Sequence, residues 1–178
     1  MSLDALRLAL PPYANDLALN LESLAQETLL SDQQKWGVFV ASAYAVGVPR
    51  VVKQIEAEAA LAGLSDPSMT AAKGAAAIMG MNNVYFRALG FLTNPEYRKL
   101  PARLRMRFNM NPGVPQADYD LFCLAVSAIN GCPDCLDAHE GGAKKRGVAP
   151  AAIQAAIRIA AVVNAVSRVI AGEDAAAS

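Results

Sequence analysis

The feature that most constrains the fold is the regular interruption of Ala- and Leu-rich stretches by proline and glycine. Within each stretch the apolar residues recur at helical spacing, and no stretch shows the alternation of apolar and polar residues expected of a strand. Hydrophobic residues make up 54% of the chain and aromatic residues only 6%, a composition rich in strong helix formers. The sequence therefore predicts an all-α fold, a compact domain of many helices.

The breakers delimit the predicted helices. A capping-box pattern at Ser31 and Gln34 opens one of them, Gly47 closes it, and Pro49 begins the next. A short helix is expected between Pro101 and Pro112, and the tail 172–178 is expected to fray. The longer predicted helices cover residues 2–10, 13–26, 31–47, 49–62, 66–79, 81–89, 115–129, 132–146 and 150–171.

A length of 178 residues suits one hydrophobic core, so a single domain over 1–178 is predicted. A weak internal repeat relates about 70–90 to 121–141 when the chain is shifted by 51 residues. It favours two related helical halves, with Met81 and Val84 as packing residues at the positions that cysteines occupy in the second half. The alternative is chance similarity between Ala-rich helices.

Charge and segment patterns argue against several partners. Sixteen basic residues balance sixteen acidic ones, and no basic patch stands out, so neither nucleic acid nor an anionic membrane is expected as a partner. The first apolar run contains charges and stops at Pro11, unlike a signal peptide, and no apolar run approaches the roughly 20 residues of a membrane span. Three cysteines without an export signal favour the reducing cytoplasm.

The segment from Asn130 to His139 carries the chemistry of the chain. Asn130 and Gly131 end one helix, and Pro133 is tolerated in the first turn of the next, so Cys132 is expected at a helix N-terminus. On that helix Cys132, Cys135 and His139 fall within an arc of roughly 60°. Both sulfurs and the only histidine should therefore face the same way.

This arrangement suits thiol–disulfide chemistry. A thiol is nucleophilic as the thiolate, and a free cysteine has a pKa of about 8.5, so a neighbour must favour the anion at pH 7. The positive end of the helix dipole lies near Cys132, and His139 can accept a proton. The spacing also allows Cys132 and Cys135 to close a disulfide and so store two electrons.

A register argument identifies one further candidate. If the helices on either side of Asn130 pack antiparallel, Asp120 stands at the height of His139, where a carboxylate can orient the imidazole. Asp118 is a competitor, and either residue could instead be a solvated acid in a first helical turn. Asp134 is expected to be exposed and off the reactive face. Cys123, in an apolar helix, is expected to be an inert core thiol.

At these residues the sequence resembles the alkyl hydroperoxide reductase D (AhpD) proteins of the carboxymuconolactone decarboxylase-like superfamily. The resemblance covers nearly the whole chain and is most specific where Cys132, Cys135 and His139 are combined. The matching segments are 10–16, 74–84, 111–113 and 125–140.

The resemblance implies an all-helical, cytoplasmic homotrimer that serves as an antioxidant oxidoreductase with weak peroxidase activity toward alkyl hydroperoxides. Such proteins reduce the peroxiredoxin alkyl hydroperoxide reductase C and receive electrons from dihydrolipoamide on a 2-oxoacid dehydrogenase component. By this resemblance Cys135 attacks, Cys132 resolves the product to the disulfide, and His139 relays the proton with Asp120. No bound cofactor or metal is implied.

Two departures from the family pattern carry expectations. The family usually has glutamate where this chain has Asp120, so that shorter side chain is expected to need a bridging water to contact His139 or the thiols. Relatives can have histidine where this chain has Asp134, and an acid there should slow the nucleophile.

Three alternative functions remain open. The first is a decarboxylase-like enzyme, although such relatives generally lack the C-x-x-C. The others are a zinc-binding module that uses the cysteines and His139, and a structural trimer with fortuitous cysteines.

Overall fold

A computed structural model describes residues 2–177, and its regular elements are helices, with no strand in that range. Two 3-10 turns, Pro12–Ala14 and Arg107–Met110, complete the regular structure. The α-helices are α1 (Ser2–Leu8), α2 (Asn15–Ala25), α3 (Asp32–Val46), α4 (Pro49–Leu61), α5 (Asp66–Phe91), α6 (Glu96–Lys99), α7 (Gln116–Asn130), α8 (Pro133–Lys145) and α9 (Pro150–Ala176). The predicted all-α fold is confirmed.

Local capping rules account for several boundaries. Ser31 and Gln34 form the expected capping box, in which the Gln34 backbone N–H donates to Ser31 Oγ at 3.2 Å and Ser31 N–H donates to Gln34 Oε1 at 3.1 Å. Gly47 ends α3 in the left-handed region at φ 78°, which favours glycine. Pro49 occupies the first turn of α4, where its missing N–H costs nothing.

Helix α5 is continuous where the sequence predicts two helices separated at Gly80. An isolated glycine costs a helix only about 1 kcal/mol relative to alanine, so other contacts can hold the helix together. Buried Asn83 supplies such contacts: its Nδ2 donates to Ser127 Oγ at 3.0 Å, and its Oδ1 accepts from Asn130 Nδ2 at 3.0 Å. These bonds tie the middle of α5 to α7, and the predicted break was wrong.

Two other expectations also fail. Helix α9 runs to Ala176, so the predicted end at residue 171 and the fraying tail were wrong, while Ser178 lies outside the described residues. Val84 is 60% exposed in the single chain, so it does not pack in the core as expected. The internal repeat itself stays a prediction.

The core is centred on α3 and α7, which are buried along most of their length. Phe122 of α7 fills the space beside Gly37 of α3 so closely that a Cβ there would clash. Helices α5 and α9 pack against this pair, and α8 folds back on α7 after Gly131. The two cysteines thus lie at the end of the most buried helix pair.

Helix α9 is the one helix among residues 2–177 that is long and apolar enough to cross a membrane by length and composition. However, 44% of its most apolar window is buried in the protein, and residues such as Ile159 and Val163 belong to the core. A core helix passes the same test of length and composition, so the finding is weak evidence for membrane insertion.

Candidate active site

The turn between α7 and α8 places the cysteine pair as the sequence predicts. Gly131 reverses the chain at φ 63°, and Cys132 N–H donates to Ser127 O at 3.1 Å. Cys132 is the N-cap residue of α8, with Pro133 at the first helical position. The expectation that Cys132 stands at a helix N-terminus is confirmed.

Cys132 and Cys135 form a disulfide across the first turn of α8, with their Cα atoms 5.3 Å apart. Cys132 is completely buried, whereas Cys135 is 6% exposed. The C-x-x-C spacing therefore closes a disulfide, as expected, and of the two sulfur-bearing residues Cys135 is the accessible one.

Asp120 and His139 come together as the register argument predicts. His139 Nδ1 lies 3.1 Å from Asp120 Oδ1, and the Asp120 side chain is only 7% exposed. Because a carboxylate only accepts hydrogen bonds, Nδ1 donates to it, which leaves Nε2 as the atom that can exchange a proton. The pair is thus arranged as a carboxylate that orients an imidazole.

The contact between Asp120 and His139 is direct, so the expectation of a bridging water was wrong for this pair. The reason is Gly142 on α8, which faces Asp120: a Cβ on Gly142 would lie 2.6 Å from Asp120 Oδ2. With no side chain at this position, the shorter carboxylate approaches α8 closely enough to reach the imidazole.

Arg146 completes this cluster and was missed by the sequence analysis. Its Nη1 donates to Asp120 Oδ2 at 3.0 Å and to the Gly142 carbonyl at 2.9 Å. The two carboxylate oxygens of Asp120 therefore contact different partners, Arg146 and His139. Arg146 lies 26 residues beyond Asp120 in sequence, just after the end of α8, and no motif announces the contact.

The other sequence candidates lie elsewhere. Asp118 accepts from Gln34 Nε2 at 2.7 Å and is not part of the cluster. Cys123 is completely buried, and burial raises the pKa of its thiol well above the ordinary range although the hydrogen bond with Tyr119 acts in the opposite direction. Asp134 is exposed, as expected, with Oδ2 3.7 Å from Arg98 Nη1, but it lines the cleft beside Cys135 rather than lying off the reactive face.

A cleft of about 400 Å³ leads to Cys135. One buried side-chain oxygen in its wall lacks a partner: Asn82 is 4% exposed, and its Oδ1 has no hydrogen-bond partner among the described residues. Sequence analysis missed the residues that α5 and the segment after α6 contribute, because they face Cys135 only in the folded chain. The lining residues are Met79, Asn82, Phe86, Met106, Asn109, Asp134, Cys135, Ala138 and His139.

A metal site was the main alternative for the cysteines and His139. Within residues 2–177, no three His, Cys, Asp or Glu side chains are grouped so that they could hold a metal ion. The two sulfurs bond to each other, and His139 Nδ1 contacts Asp120.

Comparison with known proteins identifies close relatives. The model of the carboxymuconolactone decarboxylase family matches residues 95–178. The alkyl hydroperoxide reductase AhpD of Maricaulis maris is 57% identical over 173 residues, covering 97% of this chain and 99% of its own length. The protein of the same name from Hyphomonas neptunium is 56% identical over 178 residues, covering 100% and 98%. That of Caulobacter vibrioides is 51% identical over 173 residues, covering 97% and 94%.

The segments that carried the resemblance lie inside these alignments. The relatives cover nearly the whole of both chains at more than half identity, and the site unites the C-x-x-C pair with the histidine that the sequence placed beside it. On these findings the chain belongs to the alkyl hydroperoxide reductase AhpD family.

Proposed function

We propose that this protein is an antioxidant thiol–disulfide oxidoreductase that reduces alkyl hydroperoxides and regenerates a peroxiredoxin of the alkyl hydroperoxide reductase C type. Dihydrolipoamide on a 2-oxoacid dehydrogenase component is its reductant. The observation that carries the proposal is the Cys132–Cys135 pair, whose Cys135 lines a cleft together with His139, which contacts Asp120. The names of the relatives support the same class of reaction.

Exposure supports Cys135 as the attacking residue. The helix N-terminus favours an anion at Cys132, but Cys132 is completely buried, whereas Cys135 lines the cleft. A nucleophile must be reached by its substrate, so access outweighs the dipole here. Cys132 then acts as the resolving thiol, in agreement with the roles implied by the family.

The oxidative half-reaction starts from the dithiol form. The Cys135 thiolate attacks the terminal oxygen of the hydroperoxide, the O–O bond breaks, and the alkoxide takes a proton and leaves as the alcohol. The Cys132 thiol then attacks the sulfur of the resulting sulfenic acid, which forms the disulfide and releases water. We assign the supply and acceptance of these protons to His139 Nε2, since Nδ1 is engaged with Asp120.

The reductive half-reaction restores both thiols. A thiolate of the dihydrolipoyl group attacks the disulfide to form a mixed disulfide, and its second thiol displaces the protein sulfur. The lipoyl group leaves as a cyclic disulfide, and two electrons and two protons pass to Cys132 and Cys135. Transfer to an oxidised peroxiredoxin follows the same two steps in the opposite direction. The protein needs no bound cofactor for either exchange.

Assembly and location complete the proposal. By family resemblance we expect a homotrimer in the cytoplasm, where a C-x-x-C pair is kept reducible. The mass of the protein in solution tests the trimer directly.

A thiol titration tests the redox cycle. The reduced protein is treated with one equivalent of cumene hydroperoxide, and free thiols are counted before and after dihydrolipoamide is added. We expect two thiols to be lost after peroxide and to be restored by dihydrolipoamide. The Cys123→Ala variant starts with one thiol fewer and should lose and regain the same two.

Cys135→Ser is the variant that separates the roles of the two cysteines. It should fail to form the disulfide, and its Cys132 should remain a free thiol after peroxide. If the wild-type thiols persist after peroxide, or if oxidised protein is not restored by dihydrolipoamide, the proposed cycle is wrong.

A further inference from the structure

A basic segment at the mouth of the cleft has no part in the proposed reaction. Residues 98–107 contain five of the 16 Lys and Arg residues of the chain and no acidic residue. We call this segment the basic rim. Sequence analysis missed it because the charges of the whole chain balance. Its cations, all of them exposed, are Arg98, Lys99, Arg103, Arg105 and Arg107.

Most of this charge is not neutralised within the chain. Arg98 lies 3.7 Å from Asp134, but the other four side chains have no ion pair or hydrogen bond among residues 2–177. Arginines elsewhere on the surface do pair, as Arg50 does with Asp174 and Arg158 with Glu27. Like charges this close repel one another, so the basic rim is suited to an acidic surface brought from outside.

The basic rim is fixed to the cleft by its neighbours. Met106, inside the rim, lines the cleft together with Asn109. Asn109 accepts a hydrogen bond from Tyr119 of α7 at 2.8 Å, and the ring of Phe108 fills the space left by Gly74 of α5. A partner that binds the rim is therefore held next to the cleft that contains Cys135.

The arrangement favours a protein partner over a small anion. No lysine or arginine lines the cleft, and Asp134 beside Cys135 would repel an anion that entered it. Cys135 is only 6% exposed, so a sulfur at the tip of a thin arm reaches it more readily than a sulfur held flat on the surface of a folded partner. The cleft then takes the arm, and the basic rim takes the domain that carries it.

We propose that the basic rim docks the acidic surface of the lipoyl-bearing protein, so that its dihydrolipoyl arm enters the cleft and reduces the Cys132–Cys135 disulfide. This proposal rests on the proposed function and adds the surface and the charge that select the electron donor. Electrostatic docking should raise the rate of productive encounter and should weaken as salt screens the charges.

The test compares two donors that carry the same dithiol. Turnover of cumene hydroperoxide is measured with free dihydrolipoamide and with an intact, reduced lipoyl-bearing acyltransferase component. The variant Arg103→Gln/Arg105→Gln/Arg107→Gln removes three rim charges, and Lys53→Gln/Arg158→Gln/Arg168→Gln removes three exposed charges that do not line the cleft.

We expect the rim variant to lower the ratio of kcat/KM for the protein donor to kcat/KM for free dihydrolipoamide by about tenfold, mainly through KM. The control variant should leave this ratio within about twofold of the wild type. Raising the salt from about 0.05 M to about 0.5 M should lower the wild-type ratio and have little effect on that of the rim variant.

Several results would overturn the proposal. One is an unchanged ratio in the rim variant. A second is an equal loss of the ratio in the control variant. A third is a rim variant whose only defect is in the reaction with oxidised peroxiredoxin. A fourth is a changed solution mass of the rim variant, which would make the rim a contact between copies of this chain. A wild-type preference for the anion dihydrolipoate over neutral dihydrolipoamide that the rim variant loses would assign the rim to small anions instead.

Failure of the proposed function is seen separately, as a wild-type protein that does not turn over with free dihydrolipoamide. In that case the affinity of the lipoyl-bearing component for the wild type and for the rim variant, measured by calorimetry, still decides the docking proposal. Equal affinities would reject it.

Discussion

Arg146 shows how one residue outside any motif can control the geometry of the site. It holds one oxygen of Asp120 at 3.0 Å while the other oxygen contacts His139 at 3.1 Å. Without Arg146 the carboxylate is free to rotate away from the imidazole. We predict that Arg146→Gln lowers the rate of the peroxide reaction about tenfold, a fraction of what loss of an acid–base group costs.

The measurement is the single-turnover rate of disulfide formation after peroxide is mixed with reduced protein. Arg146→Lys should recover most of the rate because an ammonium group can still pair with Asp120, and Arg158→Gln serves as a matched loss of a surface arginine. A full rate in Arg146→Gln would mean that Gly142 and His139 alone hold the carboxylate in place.

Asp134 places a negative charge beside the proposed nucleophile. It lines the cleft with Cys135. Its ion pair with Arg98 offsets only part of that charge, because the two charged groups are 3.7 Å apart and both side chains are about half exposed. We predict that Asp134→Asn speeds the reaction of Cys135 with neutral hydroperoxides about threefold, because the thiolate no longer faces a like charge. Stopped-flow measurement of the peroxide reaction is the check.

Asp137→Asn is the matched control for this change, since Asp137 is an exposed acid on the same helix that does not line the cleft. A comparable acceleration in both variants would show that the effect comes from the net charge of the helix. A slower Asp134→Asn would show that pairing with Arg98 matters more than the repulsion.

At the scale of elements, the approach of α8 to α7 depends on Gly142. A methyl group there would meet Asp120 Oδ2 at 2.6 Å, whereas a methyl group on the neighbouring Gly141 would meet nothing within 4 Å. We predict that Gly142→Ala costs about 1–3 kcal/mol of unfolding free energy through overpacking and displaces Asp120 from His139. Gly141→Ala should instead be neutral or add up to about 1 kcal/mol, since alanine favours helix.

Urea unfolding measures both changes, and the single-turnover rate reports the displacement of Asp120. If the two variants behave alike, the close approach is not a constraint on the site. A Gly142→Ala protein that is destabilised but fully active would separate packing from the Asp120–His139 contact.

Whether an element could be predicted from the sequence depends on how far apart in sequence the residues that fix it are. Ser31, Gly47 and Pro49 act within a turn of the chain, so the boundaries they set were predictable. Asp120 was also predictable, because a hairpin of two helices fixes which residues stand opposite. The continuity of α5 was not, since Asn83 holds it through contacts with residues 44 and 47 positions away. Arg146 and the cleft residues depend equally on distant elements.

At the scale of the whole molecule, Cys123 reports on the opening of the core. It lies on α7, which packs against α3, α5, α8 and α9, and it is the one cysteine outside the disulfide. An alkylating reagent can reach it only when this packing is lost. We predict that iodoacetamide modifies Cys123 in the native oxidised protein at least about a thousandfold more slowly than in urea. Mass spectrometry of the quenched reaction measures this ratio, and rapid native modification would place Cys123 in a locally mobile part of α7.

The same burial gives the molecule a defined sensitivity to alkaline pH. Burial raises the pKa of Cys123, and burial likewise raises that of Tyr119, so both groups stay protonated in the folded protein where the unfolded chain ionises. The unfolded state then binds fewer protons, and the unfolding free energy falls as pH rises above the ordinary cysteine value of about 8.5, by up to about 1.4 kcal/mol per pH unit for each proton. The Tyr119 contribution enters above about pH 10.

Urea unfolding of the oxidised wild type and of Cys123→Ala across this pH range tests the prediction. The variant should be less stable than the wild type at neutral pH, because it loses packing. It should, however, lose less unfolding free energy between about pH 8.5 and 10. Parallel curves for the two proteins would mean that Cys123 ionises equally easily in the folded and unfolded chain, and its burial would then not resist the charge.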